Sequence, residues 1–369
     1  MEKKSRLMSL DALRGFDMFF ITGGAAIITG LCLGLGCDKS FWLVEQMRHV
    51  PWAGLVHHDT IFPLFLFLAG VTWPFSYAAQ VAKGRTAWQI HRKVILRAAI
   101  LFLFGLSCGG ILAFKPHFRV PSVLGQIGLA WGFAALIAIH VKKNWQRGLI
   151  AALLLVGYWA VLAFLIAPGA PDGADSYAMK YNIISWLDRT LMPNHILKEV
   201  YDPESLFSVP AAIALALFGM MSGDLLRSEK LSGGKKALVL FGGSVALLLL
   251  TFLFVCVLKM PIVKRLWTSS FVLATGAYSL AMLALFYWII DVKGWKGWTF
   301  YFRVIGMNSI TIYMLGMVGV LGALQKYCFG GLCAWVGGAW TDCLWGVTYQ
   351  LVGWLVLYFF YKKDIFLKV

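Results

Sequence analysis

The chain has 369 residues, 60% of them hydrophobic and 14% charged, with 33 Lys and Arg against 17 Asp and Glu for a net charge of +16. An ordinary soluble domain carries roughly 25% charged residues, and a soluble fold of this length has no way to bury so much apolar surface, which excludes a soluble globular protein, a disordered chain and a disulfide miniprotein. A charge of +16 would point to nucleic acid in a soluble protein, but in a membrane protein it first sets orientation, and no nucleic-acid partner is expected.

Ten apolar runs follow one another along the chain, at roughly 16–36, 60–81, 95–114, 122–141, 148–167, 206–226, 237–258, 269–290, 302–324 and 344–361. Each is long enough to cross the hydrocarbon as a helix, the one open-ended structure that satisfies its own backbone there. An all-α polytopic membrane protein of about ten spans is expected. The basic start MEKKSRLMSLDALRG resembles a signal peptide, but Asp17 interrupts the apolar stretch and no small-x-small cleavage site follows, so it predicts an uncleaved first helix. With the N-terminus inside, the inner segments hold 22 of the 33 basic residues, among them Lys3, Lys4, Arg6 and Lys368, and the net charge divides into +15 inside and +1 outside. Positive loops stay in the cytoplasm, so both termini are expected there. The longest outer loops are 37–59 and 168–205, and 325–343 is a third, rich in Gly and Trp. Cys37, Cys328, Cys333 and Cys343 fall in outer loops, where an oxidising compartment would permit a bridge; free buried thiols are the alternative.

Ionisable groups at or inside the membrane are costly and point to function. Asp11, Arg14 and Asp17 recur every third residue on one face of the first helix. They predict either a self-neutralising cluster, with carboxylates flanking the guanidinium, or an arginine facing an anionic ligand from the cytoplasm. The richest segment is Arg48–Asp59, with His49, His57, His58 and Asp59 just before the very apolar FPLFLFLAG. A histidine there can take a proton near neutral pH, and an aspartate can orient its ring. His49 and Asp59 can meet only if Pro51–Val56 turns back. Adjacent His57 and His58 without an HExxH spacing argue against zinc, and no metal is expected. Later motifs read more weakly. Asp202 and Glu204 in YDPE either bind a polar ligand or cap the next helix. Asp224 and Arg227 look like an i,i+3 pair. Trp267 is either an interfacial belt residue or a sugar platform, and Asn308 suits interhelical hydrogen bonding.

SLDALRGFDM at 9–18, RHVPWAGLVHHDTIFPLFLFLAG at 48–70, YDPESLFS at 201–208, RLWTSSFVL at 265–273 and GMNSITIYM at 306–314 together resemble the heparan-α-glucosaminide N-acetyltransferase family of transmembrane acetyltransferases and its bacterial relatives. The resemblance runs over nearly the whole chain, from Ser9 to the C-terminus. It implies one transmembrane acyltransferase domain over 1–369 that takes acetyl from cytoplasmic acetyl-CoA to an extracytoplasmic amino sugar. It also implies His49 as catalytic base or acetyl acceptor, Asp59 beside it, and residence in a bacterial inner membrane. Dimers are usual among such enzymes. Against the animal pattern, the first outer loop reads longer and the large N-terminal lumenal part has no counterpart, which leaves the acceptor open.

On this reading Arg14, Arg92, Lys93 and Arg97, with Asn308, are expected at the donor, since basic side chains suit the phosphates of coenzyme A. Trp52, His58, Asp202, Glu204 and Trp267 are expected around the acceptor. His49 either deprotonates the acceptor as it attacks the thioester or carries the acetyl itself. The rivals are a membrane O-acyltransferase acting on envelope glycans and a secondary transporter, whose paired broken helices have no evident match here.

Overall fold

The computed structural model describes residues 7–114 and 117–367; Lys3, Lys4, Arg6 and Lys368 lie outside the described residues. The protein is an all-α, polytopic membrane protein. Among the described residues eight helices are long and apolar enough to cross a membrane, or nine if one sharply bent pair forms a single span. In chain order the helices of nine residues or more are α1 (Met8–Gly34), α2 (His57–Ala82), α3 (Ala87–Cys108), α4 (Val123–His140), α5 (Asn144–Phe164), α6 (Ile183–Leu191), α7 (Leu206–Arg227), α8 (Gly233–Val257), α9 (Ser269–Val292), α10 (Thr299–Met307), α11 (Ser309–Met317), α12 (Val320–Val336) and α13 (Gly338–Lys362).

Two of the ten expected spans change character. The run at 95–114 overlaps α3, which starts at Ala87 behind a Thr86–Gln89 capping box and ends at Cys108, so His91, Arg92, Lys93 and Arg97 share the helix and dilute its hydropathy. The run at 302–324 is broken twice. Asn308 leaves helical backbone geometry (φ −127°, ψ 33°) because its side chain serves the C-terminal tail, donating to the Ile365 carbonyl and accepting from the Leu367 amide. Gly319 then breaks the chain again, and α11 and α12 meet at 74°. The segment 325–343, expected as a loop, is largely helical for the same reason. All seven cysteines are free thiols.

Burial sorts the helices into two shells. The most apolar window of α7 is 72% buried and those of α2, α4 and α9 are 67% buried, whereas that of α8 is 22% buried. The first four form the interior, and α8 turns its leucines and phenylalanines to lipid. The core therefore runs along α2, which packs on α7, α4 and α9. A helix so placed can line an internal path from one end to the other.

Candidate active site

His49 and Asp59 do meet. Gly54 makes the reversal, at φ +128°, which L side chains rarely adopt. Its amide donates to the Ile262 carbonyl, and Ala53 pairs with Val263 in a short antiparallel bridge. This pairing turns 51–56 back on itself and lays the 262–264 segment beside it. His49 Nδ1 then lies 2.7 Å from Asp59 Oδ1, and Lys264 Nζ lies 3.0 Å from the same oxygen and 3.2 Å from Nδ1. A carboxylate facing Nδ1 favours the Nδ1–H tautomer, so Nε2 is the nitrogen left to take a proton. Asp59 is buried, and the Val50 amide points at its other oxygen at 3.4 Å. Burial pushes the Lys264 ammonium below its ordinary range, with Asp59 pulling the other way.

Lys264 was not anticipated. It sits on a single turn, Lys264–Leu266, closed by Trp267 in the left-handed region at φ +51°. A non-glycine residue holds that conformation only when its surroundings fix it. Trp267 is fully buried against Phe62 and Phe271, with ring centroids at 5.0 and 5.6 Å. Its place is beneath the turn that presents Lys264, away from the cavity.

His49, His58, Glu204, Lys264 and Tyr313 line one cavity of about 200 Å³. The His49 and His58 rings lie 4.7 Å apart. Arg119, also unanticipated, clamps the YDPE segment: Nε and Nη2 reach the two Asp202 oxygens at 2.8 and 2.5 Å, and Nη2 also pairs with Glu204. Asp202 is fully engaged there and stays out of the cavity, and Glu204 reaches it. Trp52 donates its indole N–H to the Tyr177 carbonyl at 3.0 Å and packs edge-on to Tyr201, so it anchors the outer loops.

Behind this clamp, Asp188 on α6 accepts from the Ser205 hydroxyl at 2.7 Å and faces the Asp202 amide at 3.3 Å. Burial pushes its carboxyl up to about 7 from 3.8. The folded state then holds a proton that the unfolded state releases. The corresponding stability is complete below the unfolded value and is lost as the pH rises through about 7. The thermal midpoint of the wild type is expected to fall between about pH 5 and about pH 8 relative to Asp188→Asn, which carries no ionisable group. A parallel pH dependence in both proteins would contradict that assignment.

At the opposite end of α2, Arg14 and Arg97 line a cavity of about 580 Å³ together with Arg227 and Lys236. Arg97 lies over the Trp131 ring at 4.2 Å, and its Nε is buried without a hydrogen-bond partner. Arg14 pairs with Asp11 at 3.2 Å. Asp17 is buried, with its Oδ2 unpartnered. The structure pairs Asp224 with Arg147 at 2.5 Å instead of Arg227. Arg92 and Lys93 lie outside these cavities on an exposed stretch of α3.

A third cavity, of about 230 Å³, lies between the two. It shares Arg14, Thr72 and Arg97 with the cationic cavity, and Phe65 and Ile310 with the histidine cavity. Asn308 borders it indirectly, by holding the tail whose Phe366 and Leu367 form part of its wall. One face of α2 runs through all three: His58, Ile61, Phe65, Ala69, Thr72 and Ser76 recur every three or four residues. At 1.5 Å per residue the row extends over about 27 Å, roughly the hydrocarbon thickness.

The sequence matches no family model. Human heparan-alpha-glucosaminide N-acetyltransferase is 25% identical over 84% of this chain, and the mouse protein of that name 24% identical over 85%. This chain is a distant relative of those two acetyltransferases. The matches cover 52% and 54% of the relatives, so the chain spans about half the length of the curated relatives it matches.

Proposed function

We propose that the chain is a transmembrane acetyltransferase that moves acetyl from cytoplasmic acetyl-CoA to an extracytoplasmic sugar or glycan amine, in a bacterial inner membrane with both termini inside. The row of three neighbouring cavities carries this reading, because it runs from a cationic cluster to His49 along one face of α2. The charge division of +15 against +1 supports the orientation. The relatives' name supports the chemistry.

Arg14 and Arg97 meet the phosphates of the donor, and its slender arm passes Thr72, Ala69 and Phe65 to place the thioester beside His49. His49 Nε2 takes the proton from the acceptor nitrogen as that nitrogen attacks the thioester carbon. The new bond is N–C, the C–S bond breaks, and the thiolate departs with the sulfur electron pair. Asp59 holds the imidazole and stabilises its charge once it is protonated. The Lys264 ammonium faces the oxygen that becomes negative. His58 and Glu204 border the acceptor.

The test is the donor. Arg14→Ala and Arg97→Ala are each expected to raise KM for acetyl-CoA by about tenfold or more with a smaller change in kcat, since a charge-assisted hydrogen bond contributes about 1.5–3 kcal/mol. Thermal stabilisation of the purified wild type by acetyl-CoA is expected as well. A protein that neither binds nor turns over acetyl-CoA overturns the reading and leaves transport as the rival.

A further inference from the structure

A side lobe that the proposed donor path leaves unused lies beside the cationic cavity, with Arg227 in the wall of both. Its volume is about 280 Å³, and its walls include Trp73, Tyr77, Lys142, Asn144, Arg147 and Asp224. The lobe carries more positive than negative charge. Asp224 is matched by Arg147, whose other nitrogens are committed to the Val141 and Ala138 carbonyls and to Asn144 Oδ1. Among the described residues that line the lobe Asp224 is the one carboxylate, and it pairs with Arg147, not with Lys142 or with Arg227, whose Nη1 donates to the Pro74 carbonyl at 3.5 Å. Lys142 Nζ donates to the Tyr77 hydroxyl at 2.8 Å and lies 4.6 Å from that ring's centroid. An ammonium has three donors, so two remain for an anion. Asn144 spends its carbonyl oxygen on Arg147, which leaves its amide hydrogens to offer. A dianion beside an aromatic wall and an amide donor is the chemistry of a phosphorylated purine nucleoside.

We propose that this lobe holds the 3′-phosphoadenosine end of coenzyme A, with the 3′-phosphate between Lys142 and Arg227 and the purine against the Trp73–Tyr77 wall. The proposal rests on acetyl-CoA being the donor and assigns a second phosphate subsite, separate from Arg14 and Arg97. It also gives the donor a bent path: the nucleotide lies in the side lobe, the pyrophosphate at the junction near Arg227, and the arm along α2. An anionic lipid headgroup offers the same phosphate chemistry. Arg227 favours the nucleotide, because it lines both this lobe and the cationic cavity from which the row toward His49 begins.

The experiment compares acetyl-CoA with acetyl-dephospho-CoA, which lacks the 3′-phosphate, on the full chain in detergent. The wild type is expected to bind the dephospho donor about tenfold more weakly, as the loss of a charge-assisted contact requires. Lys142→Ala is expected to weaken acetyl-CoA by a similar factor and to leave the dephospho donor unchanged, while Lys142→Arg restores the discrimination. Equal affinity of the wild type for both donors, or equal weakening of both by Lys142→Ala, overturns the assignment and leaves the donor itself intact. Binding of phosphatidylglycerol that depends on Lys142 and does not compete with acetyl-CoA assigns the lobe to lipid and also overturns it. Failure to bind either donor removes the proposed function as a whole.

Discussion

His49→Ala is expected to lower kcat for acetyl transfer by about 10²–10⁴-fold, the range that a positioned general base contributes, while the protein stays folded and still binds acetyl-CoA. The His49 side chain is 42% exposed toward the cavity, so its removal leaves no sealed void. Asp59 retains Lys264 as a partner at 3.0 Å. Asp59→Ala is expected to be equally inactive and also destabilised by about 3–5 kcal/mol, because it strands a buried ammonium without its counter-ion. Parallel measurements of turnover, donor binding and thermal midpoint separate the two. A His49→Ala protein with wild-type turnover would remove His49 from the mechanism.

Gly219→Val is expected to be among the most damaging substitutions away from the site. A Cβ at Gly219 would stand 2.2 Å from the Phe67 carbonyl oxygen on α2, closer than real Cβ atoms approach anything. Gly223 one turn later meets the Val71 carbonyl at the same distance, and Gly70 on α2 meets the Ala216 carbonyl at 2.3 Å. The small-xxx-small pattern of α7 lets the two backbones touch. A valine must push them apart, and overpacking of this kind typically costs about 1–3 kcal/mol, more where backbone blocks the way. The push acts on the helix whose opposite face lines all three cavities, so donor affinity is expected to fall together with the thermal midpoint. Gly157→Val, where nothing lies within 4 Å, is the control. Equal midpoints for the two variants would contradict the close approach.

Sequence alone carried the reading furthest where the physics is local. Apolar runs locate most helices, and the 48–59 segment announces its chemistry because His and Asp are expensive at a membrane edge. Contacts between distant parts of the chain leave no such trace. Lys264 joins His49 from 215 positions away and Arg119 joins Asp202 from 83, and no local spacing encodes either meeting. A signal did exist: both are cations on the side that the charge rule keeps poor in them, and each marks a place where a carboxylate waits. Local spacing also misled. Asp224 and Arg227 suit an i,i+3 pair, but Arg147 comes from another helix with a better approach. Trp267 reads as a belt residue until burial shows it wedged under the Lys264 turn. The break at Asn308 was hidden because its cause is a tail almost sixty residues further on.

The wall shared by the middle cavity and the histidine cavity bears on what could pass along this face of α2. A continuous passage across a membrane is also a leak for protons and ions. Phe65 and Ile310 are the residues shared in that wall, and neither offers a hydrogen bond to a travelling ion. Stripping water from a charge there carries a steep desolvation cost. On the proposed function a neutral thioester on a flexible arm would bear no such cost, so the neck would bar ions while it admits the acetyl donor.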